Sequence, residues 1–301
     1  LEGKIMGLNA VEKANILIEA LPYIKEFYGK TVVIKYGGHA MLNEELKRSV
    51  IQDIVLMRFV GMNPVLVHGG GPEITQLLQR LGKKSEFVQG QRVTDQETME
   101  IVEMVLVGKV NRDIVTQINQ LGAKAVGLSG KDGGLISARR KVLRQAGPDG
   151  GELTVDLGFV GEVERVNPGI LKTLLEYGYI PVVAPIGVGP EGESLNINAD
   201  YVAGSLALAL NADKLVLLTD VEGIFASVED KSTLLSTITV AEAERLISRG
   251  AIAGGMIPKV ECCLAALRGG VSRAHIIDGR LPHSILLEIF TNEGIGTMVV
   301  P

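Results

Sequence analysis

Short blocks of aliphatic residues alternate along the chain with longer stretches in which apolar positions recur every three or four residues. The first kind reads as buried strands and the second as amphipathic helices. Strands are predicted at Thr31–Ile34, Pro64–Val67, Ala125–Leu128, Ile180–Ala184, Lys214–Leu218, His275–Ile277 and Thr297–Val300. Helices are predicted at Val11–Phe27, Glu44–Phe59, Pro72–Leu81, Gln96–Leu121, Pro168–Tyr177, from Asp200 to about Leu210, and at Val240–Arg249 and Ile285–Phe290. Another helix opens at Gly254–Lys259. Pro22 should bend or interrupt the first helix. Leu135–Val166 breaks into short alternating segments with glycines, which suggests β-hairpins laid over the sheet. Pro148, Gly150 and Gly151 mark the loosest loop there, and Pro185–Gly192 reads as a Gly/Pro-rich connector. Strands alternating with helices imply an α/β fold with an open, largely parallel central sheet flanked by helices. The connector divides it into two lobes, residues 29–188 and 189–301, with an N-terminal helix over residues 1–28.

Glycines follow the strands in a pattern that carries chemistry. The strand Thr31–Ile34 ends in Lys35-Tyr36-Gly37-Gly38. That places an ammonium and two bare amides at the carboxyl end of a strand, where open α/β sheets bind ligands. The second strand ends in His68-Gly69-Gly70-Gly71-Pro72 and runs into a helix. Three free amides at a helix N-terminus make an anion site. Asn196, Asn198 and Asp200 crowd one helix start. Only one residue can be the cap, so others should face the cleft. Lys259 sits in the first turn of a helix, where a cation is unfavourable without an anionic partner. Arg92 precedes a cap at Thr94 or Asp95 and is placed to reach toward a carboxylate in the cleft.

Two familiar nucleotide motifs fail. Gly29-Lys30-Thr31 ends like a P-loop, but Ile24 stands where the motif needs glycine, and the loop precedes its strand. Gly69-Gly70-Gly71 lacks the last glycine of G-x-G-x-x-G, which argues against a nicotinamide dehydrogenase.

Composition narrows the classes further. The chain has 301 residues, is 46% apolar, and carries a net charge of −5. No basic cluster marks a nucleic-acid surface, and aromatics are 4% with no Trp. No apolar run approaches the roughly 18 residues of a membrane span, and Leu1–Asn9 lacks the features of a signal peptide. Cys262 and Cys263 match neither zinc nor disulfide spacing, as expected of a reducing, cytoplasmic setting. No His/Cys/Asp/Glu cluster has metal spacing, and no nucleophile claims His68. What remains is a set of charge neutralisers and amide donors: Lys35, Lys259, the glycine clusters, Arg92, Asn196 and Asp200. Such a set suits phosphoryl transfer to a substrate that is already nucleophilic. A carboxylate qualifies, because it is ionised at pH 7.

The motifs VIKYGG, VHGGGPEI, GQRVTD, NINAD, LLTDVEGI and GGMIPKV resemble the amino acid kinase family over almost the whole chain. They are most similar to the branch that makes N-acetyl-L-glutamyl 5-phosphate from N-acetyl-L-glutamate and ATP in arginine biosynthesis. The resemblance implies that Lys35 and Lys259 stabilise the moving phosphoryl group and that Asp200 holds both ammonium groups. It implies that Gly37, Gly38, Gly70 and Gly71 donate amides, while Arg92 and Asn196 grip the substrate's α-carboxylate end. The first lobe would bind N-acetylglutamate. The second, with Thr219, Asp220, Gly223, Ile224 and Phe225, would bind ATP with Mg²⁺ on its phosphates. Arginine-controlled members are similar in carrying an N-terminal helix that interlaces three dimers into a hexamer. In them L-arginine binds where this chain has Lys214, His275, Glu288 and Gly294–Gly296. Some members also bind a PII nitrogen-signalling protein, and no residue here singles that partner out. Kinases of the same fold act on aspartate, glutamate, carbamate or uridylate; Arg92 and NINAD set this chain apart from them. A non-catalytic amino-acid sensor on the same scaffold would be marked by loss of a lysine or Asp200, and all three are present.

Overall fold

A computed structural model describes residues 9–146, 152–227, 230–291 and 294–301. The loop at Pro148–Gly151 and residues 1–8 lie outside the described residues. From the N-terminal side, α1 (Ala10–Phe27) leads into β1 (Thr31–Tyr36), α2 (Glu44–Phe59), β2 (Asn63–His68) and α3 (Gly71–Arg80). A short hairpin of β3 (Phe87–Val88) and β4 (Gln91–Arg92) precedes α4 (Gln96–Glu103). A π-helical segment, Met104–Val110, joins α4 to α5 (Asn111–Gln120). Next come β5 (Ala125–Ser129), the hairpin β6 (Ile136–Ala146) and β7 (Glu152–Val166), and α6 (Gly169–Glu176). They are followed by β8 (Ile180–Ala184), β9 (Ile186–Val188), β10 (Ser194–Ile197) and α7 (Ala199–Ala209). The chain finishes with β11 (Lys214–Thr219), β12 (Thr237–Thr239), α8 (Val240–Ser248), α9 (Met256–Arg268), β13 (Arg273–Asp278), α10 (Ser284–Phe290) and β14 (Thr297–Val300).

Eight strands form the central sheet in the order β12-β14-β13-β11-β1-β2-β8-β5. Only the β13–β14 pairing is antiparallel; the others are parallel. Alternate residues of one strand enter different cores, as the two-residue period of a strand requires. Val32, Ile34 and Tyr36 pack into one, and Val33 into the other. Both faces are therefore covered, which is why β1, β2 and β11 read as near-continuous aliphatic runs. The chain winds outward from β1 through β2, then later returns to lay β11 on its other side. The carboxyl end of β1 is thus a topological switch point, the crevice where such sheets bind ligands.

Three expectations are refined. The first helix runs through Pro22 without interruption, which leaves the bend as the expectation there; a proline removes one hydrogen bond of the ladder, and the turns on either side still form. The stretch Pro185–Gly192 is more than a connector, because it contains β9. That strand pairs with β6 and β10 and closes a four-stranded sheet with β7. The predicted helix Gln96–Leu121 is continuous but turns π-helical midway. No helix among the described residues is long and apolar enough to cross a membrane.

Candidate active site

Lys35 shares the face of β1 that Val33 lines, and α7 and α9 contribute to the core on that side. Asn198 caps α7, accepting from the Asp200 N–H at 2.7 Å. Asp200 is therefore free to aim its carboxylate away from the helix end. It lies 3.1 Å from Lys35 Nζ through Oδ1 and 2.8 Å from Lys259 Nζ through Oδ2. The first contact is an ion pair without an aligned hydrogen bond; the second has one. α9 brings Lys259 there because it packs closely on α7. The Cys262 thiol donates to the Asp200 carbonyl at 2.8 Å, and a Cβ at Gly204 would lie 2.6 Å from Cys262 Sγ.

Asp200 and Lys35 are both buried, at 4% and 9% exposure. Burial pushes the Asp200 carboxyl up, but the Lys35 and Lys259 ammonium groups outweigh it and hold the carboxyl below its usual range. Burial lowers the Lys35 pKa, helped by Lys259, while Asp200 opposes the shift. Two ammonium groups against one carboxylate leave the cluster cationic. The N-terminal ends of α3 and α7 face the same cleft and add positive dipole.

The cleft encloses about 330 Å³ and is lined by Lys35, Gly37, Gly38, Gly70, Gly71, Arg92, Asn196, Asp200 and Lys259. Residues scattered through the first and second halves of the sequence thus meet in one place. A larger cavity, about 500 Å³, is bordered by Tyr36, Lys47, Glu73, Lys109 and Asp113 but contains neither site lysine. The smaller cleft is the candidate because it concentrates uncompensated positive charge.

Arg92, three residues before the Asp95 cap of α4, is 7% exposed. Its guanidinium donates to Ser85 Oγ at 2.5 Å, Thr75 Oγ1 at 2.8 Å and Gly71 O at 3.0 Å, and lies over the Phe87 ring. All of these partners are neutral, so the cation is oriented without being neutralised. Burial lowers its pKa. Asn196 Nδ2 donates to Thr94 Oγ1 at 3.4 Å. Sequence reasoning missed Ser85, Thr75, Phe87, Leu106 and Val160, which hold Arg92 or line the cleft. No local motif marks them; they are brought in by α3, the segment leading through the β3–β4 hairpin, the π-helical segment and β7.

The loop after β11 meets the cleft only at its edge. A Cβ on Gly38 would fall 2.4 Å from Asp220 Oδ1. Thr219, Gly223 and Ile224 are buried, and the Ile224 N–H donates to Thr297 Oγ1 at 2.8 Å. These three set the loop's shape; Asp220 and Val221 are exposed, and Phe225 is half-buried.

A separate cavity of about 360 Å³ gathers Lys214, His275, Glu288 and Gly294 with Tyr23 and Phe27 of α1. Glu288 accepts from His275 Nδ1 at 2.6 Å and from the Ile295 N–H at 2.9 Å. Burial pushes the Glu288 carboxyl up, but these donors outweigh it and keep it ionised. Lys214 Nζ lies 3.4 Å from His275 Nε2 and over the Phe27 ring, and burial lowers its pKa to about 8.

A family model for the amino acid kinase family matches residues 30–278. An acetylglutamate kinase of Moorella thermoacetica is 68% identical over 296 residues, 98% of this chain and 100% of that protein. One from Pelotomaculum thermopropionicum is 66% identical over 96% of this chain and 98% of its own length. Among solved structures, an N-acetylglutamate synthase from Neisseria gonorrhoeae complexed with coenzyme A and N-acetyl-glutamate superposes with a TM-score of 0.80 at 27% identity. The match covers 96% of this chain, which spans 63% of the synthase. Carbamate kinase from Giardia lamblia shares the fold, with a TM-score of 0.64 at 19% identity over 90% of this chain and 98% of its own. With lysines, carboxylate and glycine loops assembled in one cleft, the chain belongs to the amino acid kinase family, among its acetylglutamate kinases.

Proposed function

We propose that this chain transfers the γ-phosphoryl group of ATP to the side-chain carboxylate of N-acetyl-L-glutamate, yielding N-acetyl-L-glutamyl 5-phosphate for arginine biosynthesis. The observation that carries the reading is Asp200 held between Lys35 and Lys259 at the switch point of the sheet. The acceptor carboxylate is already ionised, so no base is required. The chemical problem is charge: two anions must meet. Lys35 and Lys259 neutralise the equatorial oxygens of the moving group from two sides, and Gly37, Gly38, Gly70 and Gly71 offer amides. Asp200 keeps the two ammonium groups apart and fixed without taking a proton. Arg92 and Asn196 bind the α-carboxylate end, which orients the side chain for attack.

ATP extends from the phosphoryl site over the loop Thr219–Phe225. Mg²⁺ travels on the nucleotide. Among the described residues no cluster of His, Cys, Asp or Glu is spaced to hold a metal, which suits an ion ligated by phosphate oxygens and water. There it adds further charge neutralisation.

The second cavity supports a regulatory reading. Its ionised Glu288 and cationic Lys214 complement a ligand with both charges, and L-arginine, the pathway's end product, is one. A Neisseria gonorrhoeae synthase structure at 26% identity and TM-score 0.77 is described as complexed with L-arginine. α1 walls that cavity and exposes Val11, Leu17, Ile18 and Leu21. This apolar face suits contact with another subunit in a hexamer built from dimers.

The test is ATP turnover with the acyl phosphate trapped by hydroxylamine, using N-acetyl-L-glutamate, L-glutamate and L-aspartate in parallel, with and without L-arginine. Turnover with the acetylated substrate alone, suppressed by arginine, is expected. Preference for a free amino acid would overturn the substrate assignment, and indifference to arginine the regulatory one.

A further inference from the structure

His68 lies at the carboxyl end of β2, fully buried, and plays no part in the charge chemistry above. Its surroundings fix its proton. Asn111, the first residue of α5, places Nδ2 2.9 Å from the Val182 carbonyl and 3.1 Å from His68 Nε2. A main-chain carbonyl only accepts, so the Asn111 atom facing it is the amide NH₂. That group also faces His68 Nε2, which must then accept. The imidazole is neutral and carries its hydrogen on Nδ1. Nδ1 lies 2.7 Å from the Gly69 carbonyl and donates to it. Burial, the dominant influence, lowers the His68 pKa to about 4 and keeps the ring in this state at neutral pH.

The Gly69 carbonyl and the Gly70 N–H belong to one planar trans peptide, so they point in opposite directions. Drawing the carbonyl inward onto a buried ring turns the Gly70 N–H outward, on the side where Gly70 lines the cleft. The preceding peptide is clamped as well, because the Gly69 N–H donates to the Tyr36 carbonyl at 2.7 Å. Glycines left to themselves would sample many orientations. Gly127 completes the support, since a Cβ there would fall on Asn111 Oδ1. We propose that His68 is a positioning residue: its Nδ1–H, oriented by Asn111, fixes the Gly69–Gly70 peptide so that the Gly70 amide is aimed at the reacting anion. This inference rests on the phosphoryl-transfer reading of the cleft.

Two substitutions separate the ring's two nitrogens. His68→Asn keeps an NH₂ near the Nδ1 position and retains the bond to Gly69. His68→Gln reaches the Nε2 position and retains the bond to Asn111 while losing Gly69. His68→Asn should keep kcat within about threefold of the parent. His68→Gln should lower kcat on the order of tenfold to a hundredfold, as expected when a preorganised donor is loosened, with KM for both substrates changed little. Equal kcat losses in the two variants, or a larger loss in His68→Asn, would overturn the proposal. A readout independent of turnover is ¹⁵N NMR of histidine-labelled protein. The His68 ring should remain the neutral Nδ1–H tautomer from pH 5.5 to 8. An Nε2–H tautomer, or titration within that range, would overturn the proposal even if neither variant folds. Absence of turnover in the parent protein would instead overturn the function and leave the tautomer result standing.

Discussion

Gly38 lies beside the carboxylate of Asp220, so a side chain at position 38 would have to displace it. A Cβ there would lie 2.4 Å from Asp220 Oδ1, and Gly38 adopts φ +73°. This places the loop after β1 beside the loop after β11, the two sides of the reading proposed for substrate and nucleotide. Gly38→Ala should therefore impose a left-handed strain of about 1 kcal/mol or more and also turn the Asp220 carboxylate away from the cleft edge. A thermal midpoint lowered by several degrees together with at least a tenfold loss of kcat is expected. Unchanged kcat would show that the approach is incidental.

Asp200 holds two ammonium groups, and its replacement by asparagine should act through them. Burial already lowers the Lys35 pKa, and the Asp200 carboxylate opposes that shift. In Asp200→Asn the opposition is gone, so Lys35 loses its proton at a lower pH. Activity depends on the ammonium form and falls as pH rises through that pKa. The alkaline limb of the kcat profile should move to lower pH, with a loss at every pH. Disappearance of the acid limb instead would assign Asp200 the role of base.

Asp53 is buried without exposure on α2, with Oδ1 2.6 Å from His283 Nδ1. Burial raises its pKa to about 6, against the lowering effect of His283. Between the unfolded value near 4 and the folded value, the native state binds more protons than the unfolded chain. Stability contributed here is present at low pH and lost as pH rises through that window, by on the order of 3 kcal/mol. Asp53→Asn should flatten that part of the stability profile, measured by urea unfolding at pH 4.5 and 7. An unchanged slope would place the raised pKa elsewhere.

The exposed face of α1 carries the assembly reading. Leu17 and Leu21 are 72% and 54% exposed and lie one turn apart. The double substitution Leu17→Glu, Leu21→Glu should leave the catalytic cleft intact and reduce the particle mass measured by light scattering. An unchanged mass would exclude this face from the assembly.

Much of the fold was legible because its elements are locally consistent. Glu44–Phe59 and Ile180–Ala184 were bounded correctly, since apolar periodicity, caps and turn residues agree there. Lys259's need for an anion was legible from its place in a helix first turn, but not the identity of that anion, 59 residues away. The π-helical segment was not legible, because apolar residues recur every three or four positions straight through it, at Met99, Val102, Leu106, Val110, Ile114 and Ile118. β9 was hidden by its glycine and flanking proline, and only its pairing with β10 and β6 makes it a strand. Arg92's supports were equally silent: Ser85 and Thr75 acquire meaning only when the hairpin folds over α3.

The central claim is that Lys35 stabilises the moving phosphoryl group and is not needed to bind the reactants. Its most direct test is Lys35→Ala, with substrate affinities measured by calorimetry beside single-turnover acyl phosphate formation. The account predicts affinities for N-acetyl-L-glutamate and ATP within about tenfold of the parent and a rate lower by about 10²–10³ or more. Formation of acyl phosphate at close to the parental rate would contradict it.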